Sequence, residues 1–207
     1  MRFYGQGVIP VDKFLYQTYF KDIENGTFME CGACDGILES SCKFFEEFMG
    51  WYGINIEPAK FLYNRLVKNR PYSKNLNLAL SNRNGKAKFT HVIHPKLGEN
   101  FGNGSLKHIP RHYNNLKKIG CKFKEYEVQT FTFKNIIKLL KLKRLDLFVL
   151  DVEGHETEVV KGMRSCEVLP KVFCVEFTLA DKSLDSMIKE LGYTFDKKLY
   201  NNAYYLI

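Results

Sequence analysis

The sequence predicts a three-layer α/β domain around a mostly parallel β-sheet. Three observations carry that expectation. Short β-branched or aromatic runs alternate with longer amphipathic stretches along the chain. One run, LDLFVLD at 145–151, is continuously apolar up to its closing carboxylate, as a strand buried on both faces must be. The chain then ends in a hairpin that closes over 203–207.

In chain order, residues 12–21 have the spacing of a first helix, and 27–31 that of a short strand. A turn between Gly32 and Gly36 leads to a helix near 41–49. The second strand, 51–57, is stopped by Pro58, which suits the first turn of a helix running to about residue 69, before Pro71. Two strands follow, 76–80 and 87–93, the latter alternating apolar and polar. Between 94 and 120 the periodicity fails. Pro95, Gly98, Gly102, Gly104 and Pro110 punctuate an Asn-rich segment that also carries His94, His108 and His112. So long a loop in a compact domain reads as a lid or an acceptor-binding segment. Regularity returns at 126–129, and Thr132 is placed as the N-cap of a helix. After the apolar strand come a helix at 155–163, a strand at 172–177, a helix at 181–191 and the final hairpin.

With 207 residues, 45% of them hydrophobic and 14% aromatic, the chain can bury a sizeable core and is read as one domain over 1–207. No apolar run approaches the ~20 residues that span a bilayer, and the N-terminus lacks the apolar stretch of a secretion signal. The expectation is a soluble, cytoplasmic protein whose six cysteines are reduced core thiols. Cys31 and Cys34 do form a C-x-x-C pair, but no second pair completes four zinc ligands. A redox role for that pair would leave the carboxylates described below unexplained. The net charge of +8 is unevenly spread. Residues 60–144 hold 20 Lys and Arg against 3 Asp and Glu, while the remainder holds 11 against 20. This basic middle reads as a surface for phosphate or an anionic partner, or as a solvated face.

Ligands of parallel sheets bind at the carboxyl ends of the strands, where strand order reverses. After the first strand stands Glu30-Cys31-Gly32-Ala33-Cys34-Asp35-Gly36, a turn of small side chains that a ligand can approach closely. It is not G-x-G-x-x-G and its helix begins several residues later, which argues against a pyrophosphate. Glu57 ends the second strand roughly twenty residues on, where a carboxylate can accept both hydroxyls of a ribose. As a structural residue it would serve as an N-terminal charge on the next helix. In this order and spacing the two motifs predict an adenosine-type cofactor. The strand at 145–151 runs into Asp151-Val152-Glu153-Gly154-His155-Glu156. Carboxylates grouped beside an imidazole can supply a general base, hold a divalent cation, or simply cap a helix. Glu176, near the end of the strand at 172–177, should face the same crevice.

These segments carry a resemblance. FMECGACDG, SSCKFFE, GWYGINIEP, NLALSNRNG, LDLFVLDVEGHE and ELGY stand in an order and spacing similar to those of the FkbM-type methyltransferases. The resemblance covers nearly the whole chain and implies a Rossmann-like class I methyltransferase fold, with a seven-stranded sheet, helices on both faces and S-adenosyl-L-methionine as cofactor. It implies that Glu30, Gly32, Ala33, Asp35, Gly36 and Ser41 line the methionine end of the cofactor. Glu57 would hold the ribose, and Ala79 and Leu80 would border the adenine. Asp151, Glu153 and His155 would stand beside the transferred methyl group, with Glu153 and Glu176 orienting the acceptor or fixing the imidazole. Asp151 or His155 is the expected base, with His94, His108 and His112 in reserve, and no metal is demanded. The chain departs from the family pattern at Ser40-Ser41-Cys42 and at Cys34. By analogy the acceptor is a sugar hydroxyl of a glycan or glycoconjugate, with the basic middle meeting a phosphate-linked sugar. The alternatives are an RNA ribose 2′-O-methyltransferase, or a non-catalytic binding module of the same fold. Against RNA stands Glu176, where such enzymes commonly place a lysine.

Overall fold

The structure, a computed structural model, describes residues 1–176 and 182–207. The chain opens with α1 (Val11–Leu15), which continues into a π-helical turn at Tyr16–Phe20, followed by β1 (Thr27–Cys31), α2 (Lys43–Met49) and β2 (Tyr52–Ile56). Next come α3 (Lys60–Asn69), β3 (Lys74–Leu76), β4 (Ala79–Leu80), β5 (Gly85–Ile93) and α4 (Pro110–Lys118). The second half holds β6 (Lys122–Phe131), α5 (Phe133–Leu139), β7 (Leu147–Leu150), α6 (Glu156–Lys161) and β8 (Val172–Glu176). It closes with α7 (Lys182–Glu190), β9 (Thr194–Leu199) and β10 (Asn202–Leu206).

Seven strands form one sheet in the order β3-β2-β1-β7-β8-β10-β9. The first five are parallel, and β10 runs antiparallel between β8 and β9. The mostly parallel sheet with a closing hairpin is therefore as expected. Strands β2 and β3 lie to one side of β1, and β7 and β8 to the other, so strand order reverses between β1 and β7. Cys31 pairs with Leu150 at that seam, and the Asp151 N–H donates to the Cys31 carbonyl at 3.0 Å. The switch point predicted to bind ligand thus lies between Gly32 and Asp151.

The period-2 alternation of the strands divides the core. Met29, Ile54, Phe148, Leu150 and Phe173 point to one face, against Ile136 of α5, Val159 of α6 and Ile188 of α7. Phe28, Leu147, Val149 and Cys174 point to the other, against Leu15 of α1 and Phe44 and Phe45 of α2. Phe148 stacks on Phe173 with ring centroids 5.2 Å apart. Each fully buried aromatic of this kind contributes roughly 1.5–3 kcal/mol.

Several expectations are corrected. The strand expected at 76–80 is two. Leu76 ends β3 in the large sheet, while Ala79 and Leu80 pair with β6 in a separate sheet of order β4-β6-β5. The cause is Asn77, whose side-chain amide donates to the Glu57 and Pro58 carbonyls and pins the chain as it changes sheet. Segments 87–93 and 126–129 prove to be parts of one long antiparallel pair, β5 with β6. Segment 94–120 is not loop throughout. Pro110 opens the nine-residue α4, because its fixed φ and missing N–H suit the first helical position. Helix 12–21 is α-helical only to Leu15 before its π turn. Phe177 of the expected strand and Asp181 of the expected helix lie outside the described residues. Among the described residues no helix is long and apolar enough to cross a membrane.

Candidate active site

The loop after β1 is built by interactions that leave little freedom. Gly32 has φ 88°, and a Cβ there would stand 1.9 Å from the Asp151 carbonyl oxygen. The Gly32 and Ala33 N–H groups both donate to the Ile56 carbonyl at 3.1 Å, tying the loop to β2. Asp35 accepts from the Ile37 and Leu38 N–H groups at 3.0 and 2.8 Å, and from Arg65 at 3.1 Å. Glu30 accepts from the Ser40 hydroxyl and, at 2.7 Å, from the Ser41 N–H. Arg70, wholly buried, lies 3.6 Å from Glu30, bonds to Glu46, and packs its stem beneath Gly36.

The expected cofactor residues therefore divide. Gly32, Glu57, Ala79 and Leu80 line one narrow crevice, partly open to solvent. Ser41 lines the cleft beside it. Glu30, Ala33, Asp35 and Gly36 line neither, and the first three side chains are buried within the loop. In the free protein the Glu30 and Asp35 carboxylates are held by hydrogen bonds from the loop itself and from Arg65. Leu62, Phe89 and Leu106 complete the apolar wall of the crevice. They come from α3, β5 and the segment beyond it, and their apolar character alone does not distinguish them from core residues.

Glu57 closes β2 with both carboxylate oxygens engaged by backbone. The Cys34 N–H donates to one at 2.9 Å and the Ala59 N–H to the other at 2.7 Å. Each oxygen retains acceptor capacity. Burial lifts its pKa to about 8, against the opposing pull of those two donors. The thiols of Cys31 and Cys34 are likewise pushed up, by burial and then by the charge of Glu57. A reactive redox thiol needs the opposite shift.

Beyond β7 the chain turns sharply, with positive φ at Glu153 (56°) and Gly154 (105°). Glu156 makes this possible by accepting from the Val152 and Gly154 N–H groups, both at 3.1 Å, so it belongs to the turn itself. Asp151 lies open at the floor of the cleft and lines both cleft and crevice. Glu153 and Glu176 line the cleft beside it, and these three can each offer an oxygen within 4.8 Å of the others. Such a trio can meet one cation or share protons. Desolvation among the cleft walls, and then the charges of Glu176 and Glu156, raise Asp151 well above the usual carboxylate range. Glu153 rises likewise, through desolvation and then Asp151, and Glu176 reaches about 7, through burial and then Glu153.

His155 lines the crevice together with Asp151. Its Nε2 lies 3.0 Å from the Ser81 hydroxyl, on the crevice side, and burial drives its pKa down to about 4. The imidazole that does reach the cluster is His112 of α4, with Nε2 3.4 Å from Glu153 and no hydrogen-bond partner. Its ring stacks on His108 at 5.9 Å, and His108 is fixed by the Asn103 carbonyl at 2.7 Å. Desolvation, and then His108, lower the pKa of His112. His94 instead accepts from the Lys96 and Leu97 N–H groups within its own turn.

The segment between β5 and α4 contributes to the walls of both crevice and cleft. Ser105 pairs with Thr90 of β5 and donates its hydroxyl to the Val152 carbonyl at 3.0 Å. Gly154 sits so close to Ile109 that a Cβ would meet it at 2.8 Å. Gly104, Ser105 and Leu106 consequently reach the crevice, while Asn103, Ile109 and His112 reach the cleft.

The raised carboxyls give stability a defined pH dependence. A carboxyl whose folded pKa exceeds the unfolded value keeps its proton longer in the folded state, so its contribution is full at low pH and is lost as pH rises through the folded pKa. Buried His91 and half-buried His108, His112 and His155, held below 6.5, act with the opposite sign only beneath that value. Thermal midpoints of the free protein are therefore expected to fall between about pH 6.5 and pH 8, and Glu57→Gln to flatten the decline. A midpoint rising across that interval would contradict the burial of these groups.

The sequence model described as methyltransferase FkbM domain matches residues 30–195. Among curated proteins none matches the chain by sequence. In structure the chain is similar to the methyltransferase FkbM of Methylobacillus flagellatus KT, with TM-score 0.54 and 13% identity. That match covers 92% of this chain and 46% of the Methylobacillus one, so the chain spans less than half of that protein. It also resembles the fibrillarin of Aeropyrum pernix, solved with natively bound S-adenosyl-L-methionine (TM-score 0.49, 12% identity, 95% and 73% covered). A third likeness is to a precorrin-6y C5,15-methyltransferase of Geobacter metallireducens GS-15 (TM-score 0.47, 9% identity, 98% and 92% covered). At such identities the likeness is one of fold.

Proposed function

Because the chain belongs to the FkbM methyltransferase family and its methyl donor is S-adenosylmethionine, we propose that it methylates a hydroxyl oxygen of a sugar in a glycan or glycoconjugate. One observation carries this reading: Asp151 lines both the crevice and the cleft. A cofactor in the first and an acceptor in the second would meet there.

The residues of the crevice fit the donor. Glu57, with spare acceptor capacity on both oxygens, would hold the ribose hydroxyls. Ala79, Leu80 and Phe89 would flank the adenine, and Gly32 leaves room where any side chain would intrude. Ser41 would face the methionine end from the cleft. Bound there, S-adenosylmethionine supplies a methyl group on a cationic sulfur.

Displacement at such a methyl group needs alignment more than covalent help, so what the protein must provide is position and a proton acceptor. Asp151, Glu153 and Glu176 can accept hydrogen bonds from sugar hydroxyls and fix the ring. The neutral His112, with its Nε2 free, takes the proton of the attacking hydroxyl. The imidazolium so formed lies against Glu153, whose carboxyl oxygen can accept a hydrogen bond from it. The segment 94–120 acts as cover for both sites within a single unit of 1–207.

Calorimetric titration with S-adenosylhomocysteine, on the wild type and on Glu57→Ala, tests the donor half. The variant is expected to bind at least about tenfold more weakly, about 1.4 kcal/mol. Unchanged affinity in the variant would remove Glu57 from the site, and no binding by a folded wild type would sink the reading.

A further inference from the structure

The outer end of the cleft is walled by two segments far apart in sequence. One is the N-terminal stretch with Gln6 and Gly7, and the other the β9–β10 turn with Tyr200 and Asn201, leading into Asn202. They are joined. The Ile9 N–H donates to the Tyr200 hydroxyl at 3.1 Å, and Gly7 packs so closely that a Cβ would stand 2.7 Å from the tyrosine ring. Tyr200 is held at φ 53° and remains half exposed. Asn103 enters the same cleft from the covering segment.

The chemistry of this wall is narrow. Carboxamides donate and accept at once, so a pair of them can serve neighbouring hydroxyls of one ring. A tyrosine face offers apolar surface to the C–H groups of a pyranose while its hydroxyl stays tied elsewhere. Charge narrows it further. Glu39, Asp151, Glu153 and Glu176 line the cleft, and no Lys or Arg does among the described residues. A phosphate or carboxylate on the ring being methylated would meet four acids and no cation. Part of the basic excess of the middle segment is engaged elsewhere, as in the Lys86–Glu127 and Lys88–Glu125 pairs across β5 and β6.

We propose that this wall is the acceptor subsite and that it takes an uncharged sugar ring, seated on Tyr200 with Gln6, Asn103, Asn201 and Asn202 on its hydroxyls. The assignment rests on the sugar-hydroxyl reading above and narrows it.

Saturation-transfer NMR on the full chain loaded with S-adenosylhomocysteine tests it. The probes are methyl glycosides of gluco, galacto and manno configuration, with glucose 1-phosphate and glucuronate as anionic counterparts. At least one neutral glycoside is expected to bind and the anionic probes not to. Tyr200→Ala and Asn201→Ala should each weaken that binding by about tenfold, with S-adenosylhomocysteine affinity unchanged. Tyr200→Phe should retain it, because the ring remains. Asn201 is exposed, so its variant reports on the subsite even if Tyr200→Ala disturbs the fold. Glycoside binding that survives both alanine variants would overturn the subsite and leave the sugar reading standing. Preference for an anionic probe would overturn the charge argument. Absence of any glycoside binding in a protein that binds S-adenosylhomocysteine would overturn the subsite and the sugar reading together.

Discussion

Gly32→Ala is expected to abolish binding of S-adenosylhomocysteine and to destabilise the fold by about 2–4 kcal/mol. Two costs add. The residue holds φ 88°, a conformation that a side chain disfavours. The new methyl group would also lie 1.9 Å from the Asp151 carbonyl oxygen, well inside contact distance. Neither strand can give way cheaply. β1 is bonded to β2 on one side and to β7 on the other, and the Gly32 and Ala33 N–H groups hold the Ile56 carbonyl. The loop would have to leave the switch point, and Glu57 would lose its bond from the Cys34 N–H as the loop moved. Urea unfolding and calorimetry on the same variant check both halves. Wild-type affinity in a folded Gly32→Ala protein would mean that the cofactor does not approach the seam between β1 and β7.

His112→Gln is expected to lower the turnover rate by roughly 10²–10⁴-fold while S-adenosylhomocysteine still binds. The acceptor for this assay is the glycoside that saturates the cleft. Desolvation and His108 keep the His112 imidazole neutral at neutral pH, so a base at this position acts without first losing a proton. The wild-type rate should rise with pH through a value below 6.5 and then level, and the variant should lose that rise. His155→Gln supplies the contrast. Its imidazole faces Ser81 and the crevice, so the loss is expected in cofactor affinity, with the rate at saturation largely kept. A large rate loss in His155→Gln beside a mild one in His112→Gln would restore the role that the DVEGHE motif suggested.

The two histidines mark the limit of what local sequence can say. His155 stands four residues after Asp151, but spacing along a turn does not fix direction. Glu156 folds back onto the Val152 and Gly154 N–H groups, and His155, just before the helix, has its Nε2 3.0 Å from the Ser81 hydroxyl. His112 stands 41 residues before Glu153. It reaches the cluster because Gly154 allows Ile109 to dock on the turn. The loop acids teach the same lesson. Glu30 and Asp35 have the residue type and position of ligand-binding groups, and the partners that hold their oxygens in the free protein, Ser40, Arg65 and nearby N–H groups, could not be named from the motif.

The sequence by itself determined the sheet and its ligand-binding edge. Alternation and continuous apolar runs are local properties of a strand, and a carboxylate or glycine closing such a run must lie at the sheet's end. Gly32, Glu57, Asp151 and Glu176 could be placed on that edge from the chain alone. Only the tertiary structure decided which polar atoms remain free to meet a ligand, because hydrogen bonds between distant segments decide that. It also decided the partition into crevice and cleft, since the walls of each come from β5, the covering segment, the N-terminal stretch and the hairpin turn, which meet only when the chain is packed.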